Sequence, residues 1–369
     1  MIAAGQSHSL FVDTDSGVWT CGLNDNGQLG LEKSEKLVKE PTQIQGLPPI
    51  TYVAANQHSL FVDIEGTLWG CGNNLSNQMG AGKENIRKPR QIEGLPEIFQ
   101  VSASFYCSLL LATNGEVWGA GKNPYGQLGN GSKFSEAATR IENIPKMKST
   151  FAAFNHSLFL DLDGHVWVSG NNGNHRLGLG HLNNERSPVR LENLPPIKSI
   201  TAGWVHSMLL DEEDRVWIFG GNDFCQTGVS EHTAITYKVP TLVEELRDTH
   251  SISASYYHSI FIGYQKSYVA GGNYNGVLAC NDVGAHLPLQ RVESLENIPM
   301  ITSVSTLYHS LFVDHTGSVW GCGKNTSNQL GVVTPHPNTA TPVQIQGLPC
   351  IGRITNHKRV KSARNVATA

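Results

Sequence analysis

A closed, seven-bladed, all-β propeller is the fold class predicted for this sequence of 369 residues, and three observations predict it. A phrase of the form His-Ser-Leu-Phe-Val-Asp recurs at steps of 50, 49, 49, 50, 52 and 51 residues. Further columns recur in register with it, so the whole chain is a tandem array of one unit. The unit itself is a run of short apolar stretches broken by turn residues, with Gly 38 and Pro 17 in the composition and only 16% charged residues.

The first element is the phrase itself. It begins at His8, returns at His58, and has close versions at His156, His206, His258 and His309, while Cys107 takes the histidine place in the third copy. An aromatic column follows: Trp19, Trp69, Trp118, Trp167, Trp217, Tyr268 and Trp320. Three residues later comes a glycine (Gly22, Gly72, Gly121, Gly170, Gly220, Gly271, Gly323), and two residues after it an asparagine (Asn24, Asn74, Asn123, Asn172, Asn222, Asn273, Asn325). Copy six departs most. Its hairpin is one residue shorter, and Gly276-Val277-Leu278-Ala279 replaces the Gly-Gln-Leu-Gly seen at Gly27–Gly30.

Each copy reads as four short strands. In the second they are Pro41 to Ile44, Ile50 to Ala54, His58 to Asp63 and Thr67 to Cys71, with a hairpin turn at Glu65-Gly66. Apolar and polar residues alternate with the period of a strand and not that of a helix. A lone unit of this size cannot bury both faces of its sheet, so copies must stack on one another. Units of four strands solve this by radial closure into a ring. The copies fall near 2–50, 51–99, 100–148, 149–198, 199–250, 251–301 and 302–351, followed by a tail over 352–369. The first copy lacks a leading Pro-x-x-Ile strand and a spare one, Pro342 to Ile345, follows the last. Pairing of the N- and C-terminal strands is therefore expected to close the circle and remove the open edges.

These columns, with Ala-Gly-x-x-His-Ser-Leu, Gly-x-Val-Trp-x-x-Gly-x-Asn and Gly-Gln-Leu-Gly, resemble the repeat of the regulator of chromosome condensation (RCC1) family over residues 2 to about 350. The resemblance implies seven blades of that type. It also implies one of three functions: nucleotide exchange on the small GTPase Ran, general partner binding, or, in a plant branch, light sensing by tryptophans. In the member that acts on Ran, acidic residues in the turn before the histidine contact the GTPase and a wedge inserted in one blade helps displace nucleotide. Here all fourteen turn residues are non-acidic, and no step between copies leaves room for an obvious insertion. The exchange residues do not carry over. Light sensing requires a cluster of extra tryptophans, and only Trp204 stands outside the repeat column.

The histidines recur once per blade, too dispersed for a tetrahedral metal set, and are expected to order turns by hydrogen bonding. Cys21, Cys71 and Cys322 share a position that elsewhere holds Ala120, Ser169, Phe219 and Ala270, as packing residues do. The glycine-rich loops open no helix, which argues against a phosphate cradle. No catalytic, cofactor-binding or metal-ligating set stands out, and no small-molecule substrate is expected. What departs from the repeat is the residue pair before each histidine. Copies one and two have the polar Gln6-Ser7 and Asn56-Gln57. The other five have Phe105-Tyr106, Phe154-Asn155, Trp204-Val205, Tyr256-Tyr257 and Leu307-Tyr308. Aromatic side chains bury large areas at small entropic cost, which suits a protein-binding face. The alternative is that they fold inward and plug the central channel.

A net charge of -4 argues against a general nucleic-acid binder. No apolar run approaches the roughly 20 residues of a membrane span, and no leader of the usual secretory type precedes the array. Seven cysteines without a Cys-x-x-Cys pair suit a reducing, intracellular compartment, the cytoplasm or nucleus. A bacterial effector exported without such a leader fits equally. The tail carries Arg353, Lys358, Arg359, Lys361 and Arg364 with no acid, as solvated or anion-touching segments do. The sequence thus reads as a non-catalytic propeller that holds a protein partner, with guanine nucleotide exchange as the alternative, and a small GTPase of the Ran type is the partner class that the resemblance implies.

Overall fold

Each recurring column marks a fixed place in one four-stranded antiparallel sheet, and seven such sheets follow one another along the chain. The described residues of this computed structural model are 1–31, 35–229 and 235–352, without the side chains of 134–136 and 303; the tail expected over 352–369 lies outside them beyond Gly352. The blades span 2–43, 50–91, 98–140, 147–190, 197–242, 249–291 and 301–344. No helix among the described residues is long and apolar enough to cross a membrane.

Blade two shows the unit: Ile50–Ala55, His58–Asp63, Leu68–Gly72 and Ile86–Gln91, from the central axis outward. The second strand is buried at all six positions, because adjacent blades cover both of its faces, and alternation fades there. The outer strand is mostly exposed. Pro41, expected to lead copy two, instead lies in Leu37–Gln43, the outer strand of blade one. Every Pro-x-x-Ile segment thus ends the copy before it. The ring consequently closes without a shared sheet. Asn338–Gln344 is the fourth strand of blade seven, and Ile2–Ala4 is the first of blade one. The chain ends meet instead through one antiparallel bridge, Asp13 to Ile351, and the Met1 amino group donates to the Gly352 carbonyl at 3.2 Å. Between these blades Phe11 and Cys21 pack with Leu311, Val313 and Leu330.

Two buried devices explain the columns. In the first, a histidine opening the second strand of one blade bonds to the serine that follows the histidine of the next. His8 Nε2 lies 2.8 Å from Ser59 Oγ, His58 2.8 Å from Ser108, His156 2.9 Å from Ser207, and His206 2.9 Å from Ser259. His309 returns to Ser9 at 2.7 Å, across the closure. In blade six, His258 meets Thr306 at 2.6 Å, and Thr306 passes the contact to Ser310 at 3.0 Å. The histidines therefore tie blade to blade and do not merely order their own turns. The serine hydroxyl then donates to a carbonyl of the preceding blade, as Ser59 does to Gln28 and Ser207 to Arg176. Where this bond forms, at Ser9, Ser59, Ser207, Ser259 and Ser310, the serine's only proton is used, so the histidine Nε2–H must be the donor and the ring is the neutral Nε2 tautomer. Cys107 breaks the circle and leaves the buried Ser157 hydroxyl without a partner.

The second device fixes the outward hairpin. Asp63 Oδ1 accepts the backbone N–H groups of Glu65 and Thr67, and Oδ2 accepts the Trp69 indole N–H at 2.9 Å. Asp13, Asp161, Asp211 and Asp314 do the same for Trp19, Trp167, Trp217 and Trp320. The column tryptophans are thus half-buried turn anchors. Blade three lacks the acid, because Ala112 stands there, and the Trp118 N–H has no acceptor. Gly-Gln-Leu-Gly fills the seam between blades. Gly27 has φ 86°, and a Cβ there would sit 2.3 Å from Arg87 Cα of the next blade, so only glycine allows that approach.

The broken link makes a direct test. Ser207→Ala removes two buried bonds and strands the His156 Nε2–H, and should lower unfolding free energy by about 1–3 kcal/mol. Ser157→Ala removes a hydroxyl that bonds to nothing and should change it by less than about 0.5 kcal/mol. Urea titration of both variants checks the pair, and equal losses would contradict the account.

Acid gives a second test. Burial pushes His8, His58, His206, His258 and His309 down to about 3. Unfolded imidazoles titrate near 6.5. Between these values the unfolded chain binds more protons than the folded one, so stability is full above pH 6.5 and falls as pH drops below it. The slope should approach on the order of 1 kcal/mol per pH unit per buried histidine. A urea midpoint that stays flat from pH 7 to pH 5 would contradict it.

Candidate functional site

The innermost strands of all seven blades line a central channel of about 370 Å³. The turn leading from first to second strand opens at one mouth of it, immediately before the histidine that bonds the next blade. All seven aromatic residues singled out in the sequence meet at this mouth, and they divide into two sets.

The first member of each pair faces the axis. Phe105, Phe154, Trp204, Tyr256 and Leu307 line the channel. Four of these rings form a closed cycle: Phe105–Phe154 5.1 Å, Phe154–Trp204 4.9 Å, Trp204–Tyr256 5.2 Å, and across the mouth Tyr256–Phe105 6.0 Å between centroids. The steep interplanar angles of 60° to 89° place ring edges against ring faces, as the aromatic quadrupole favours. The cycle caps the channel. The second member of each pair lies outside the cap. Tyr106 sits 5.8 Å from Phe105, Tyr257 5.4 Å from Trp204, and Tyr308 stacks on Tyr256 at 4.7 Å and 24°. The geometry thus holds an inner set of rings facing the axis and an outer set beside it.

None of the seven is fully buried, and Tyr106 is 37% exposed. Burial raises the Tyr256 and Tyr257 phenols above their ordinary range, so both stay protonated donors at neutral pH. The polar turns complete the circle, where the Gln6 N–H donates to the Asn56 carbonyl at 2.9 Å and the Gln57 amide to Gln6 Oε1 at 3.0 Å. Sequence reasoning missed an extension of the surface. Phe224 lies 4.3 Å from Tyr257 and 4.7 Å from the His286 imidazole, and Tyr274 Oη is 2.8 Å from His286 Nε2. Phe224 stands two residues after the repeat asparagine, the place that Tyr125 takes in copy three, and aromatic residues there were the available signal.

Cations surround the aromatics. Lys122 Nζ lies 4.8 Å above the Tyr106 ring and Lys324 Nζ 5.3 Å above Tyr308. Arg176 is buried beside Trp204 and donates to its carbonyl at 2.8 Å. Desolvation lowers its guanidinium to about 10, still charged at neutral pH. Elsewhere, Asp161, Asp163 and His165 are spaced closely enough to hold a cation. Asp161, however, already spends its oxygens on the hairpin N–H groups and the Trp167 indole, like its counterparts in other blades.

Similarity to known proteins follows the same units. The repeat described as "Regulator of chromosome condensation (RCC1) repeat" matches residues 15–62, 65–111, 163–210 and 316–356, and a second pattern of that description matches 100–127 and 197–226. A stretch of 118 residues, 30% of this chain, is 52% identical to the human probable E3 ubiquitin-protein ligase HERC4. That stretch spans only 11% of the relative's length. Human WBSCR16 superposes with a TM-score of 0.79 at 19% identity, covering 89% of this chain and 93% of that one. Prp20p from Saccharomyces cerevisiae does so with a TM-score of 0.79 at 22% identity, covering 91% and 87%. At such identities the two structures speak for the fold, while the recurring columns speak for the lineage: the chain belongs to the regulator of chromosome condensation repeat family.

Proposed function

We infer that this propeller is a non-catalytic protein-binding module that engages or regulates a small GTPase through the outer aromatic surface. The observation that carries the reading is the outer set itself: Tyr106, Tyr257 and Tyr308 lie on a rigid cap with part of each ring still open to solvent. Aromatics held in this way lose little entropy on contact and are enriched among residues that dominate binding energy. The GTPase class rests on the family and on Prp20p, whose structure was described together with its binding to Gsp1p and histones. HERC4, in which the shared stretch is a small part of a probable ligase, supports the view of such repeats as recognition modules beside other activities. Seven cysteines without a Cys-x-x-Cys spacing favour work in the cytoplasm or nucleus.

The test is capture of purified small GTPases, in nucleotide-bound and nucleotide-free forms, combined with release of a fluorescent guanine nucleotide. Capture without faster release is expected. Tyr257→Ala and Tyr106→Ala should each weaken capture by about 2 kcal/mol or more and leave the melting temperature within about 2 °C of the parent. Trp204→Ala opens the cap and should lower both capture and stability, the latter by about 2–4 kcal/mol. Intact capture by the tyrosine variants would exclude this surface. Accelerated release would make the chain an exchange factor, and another protein held through the same tyrosines would make it a scaffold.

A further inference from the structure

Arg176 stands where the repeat has a glutamine. Gln28, Gln78, Gln127, Gln226 and Gln329 occupy this position in five other copies, and each accepts the backbone N–H two residues before it, at 2.9 to 3.2 Å. An arginine has no acceptor. In blade four the loop instead tightens into a 3-10 turn over Gly173–His175, and the guanidinium donates to the Gly173 carbonyl, the Trp204 carbonyl and Asn174 Oδ1. Blade six, with Val277 in this place, forms the corresponding turn over Tyr274–Gly276. The substitution therefore exchanges a structural acceptor for a charge that is 7% exposed.

Among the described residues, that guanidinium forms no hydrogen bond or ion pair with a carboxylate. Its electrostatic neighbours include the Tyr125 and Tyr257 side chains, and burial holds the Tyr257 phenol above its ordinary range. Lys122 and Lys324, over the rings of Tyr106 and Tyr308, form no ion pair among the described residues either. A buried guanidinium without a counter-ion carries a desolvation cost that an arriving anion would relieve. Asp223 is close enough to Tyr257 to act on its phenol.

We propose that the aromatic cap receives an acidic segment of a partner protein, whose carboxylates settle among Arg176, Lys122 and Lys324 while an apolar side chain packs on the outer tyrosines. This rests on the reading of the cap as a protein-binding surface and adds the chemistry of what it holds. A protein segment fits better than nucleic acid, because the chain as a whole carries a net charge of -4.

A phage-displayed library of random dodecapeptides, selected on the full chain, tests it. Acidic residues should be enriched beside aromatic or aliphatic ones. The selected pool should lose about tenfold in affinity on the double variant Lys122→Gln/Lys324→Gln, and also on Arg176→Gln, which restores the residue that five copies already tolerate. Raising salt should weaken it. Melting curves of the variants confirm that the ring is intact. A pool without acidic enrichment that is still lost on Tyr257→Ala overturns the charge assignment and keeps the binding surface. A pool indifferent to Tyr106→Ala and Tyr257→Ala, or no pool at all, overturns both. Tighter binding of oligouridine than of any selected peptide overturns the choice of a protein segment.

Discussion

The bond from a histidine Nε2–H to the serine of the next blade is the constraint on which the rest of this ring depends. Propeller blades are held together chiefly by apolar packing, which is strong but tolerant of sliding. A directional bond between fully buried groups is not tolerant. Five such bonds, one of them crossing the junction of the chain ends, and a sixth from His258 to Thr306 set the angle between neighbouring blades at the radius where the second strands begin. At five junctions the serine hydroxyl then reaches back to a carbonyl of the blade that sent the histidine, so those junctions are pinned twice. Because the imidazoles must be neutral donors, the same arrangement ties the integrity of the ring to pH.

This constraint also builds the site. The residues directly before each histidine lie at the mouth of the channel, and the histidine fixes where that turn can go. Five turns replace polar pairs with large side chains, and the fixed turns bring four rings into edge-to-face contact across the axis. Only the inner member of each pair is used to close the channel. The outer member is left on a rigid base with an open face. Blade three is the exception at its own junction: Cys107 sends no bond onward, and the turn before it carries Tyr106, an exposed aromatic of the surface.

Much of the architecture could be read in the sequence because the period was plain, and the failures are instructive. A circular repeat has no natural origin, so Pro41 to Ile44 was assigned to the blade after it when its hydrogen bonds belong to the blade before. The direction of the histidine bond was hidden for a related reason. Each histidine is followed by a serine in its own copy, and a sequence cannot say that the partner is the serine of the next copy. The role of Asp63 and its counterparts was concealed within a phrase that looked like a plain strand. The aromatic turns were visible as departures from the repeat. Their division into cap and surface was not, since it depends on which of two adjacent residues faces the axis. Arg176 was missed because one changed residue in a variable loop column looks like drift until its buried environment is seen.

The ring requires its six bridging imidazoles to be neutral, protonated on Nε2 and shielded from water by the blades they join. Long-range proton–nitrogen correlation spectra of the histidine rings measure this directly. Six Nε2–H tautomers that persist unchanged from pH 7.5 down to pH 5 are the expected result. Rings at His8, His58, His156, His206, His258 and His309 that titrate near the ordinary imidazole value, or carry the proton on Nδ1, would contradict the account.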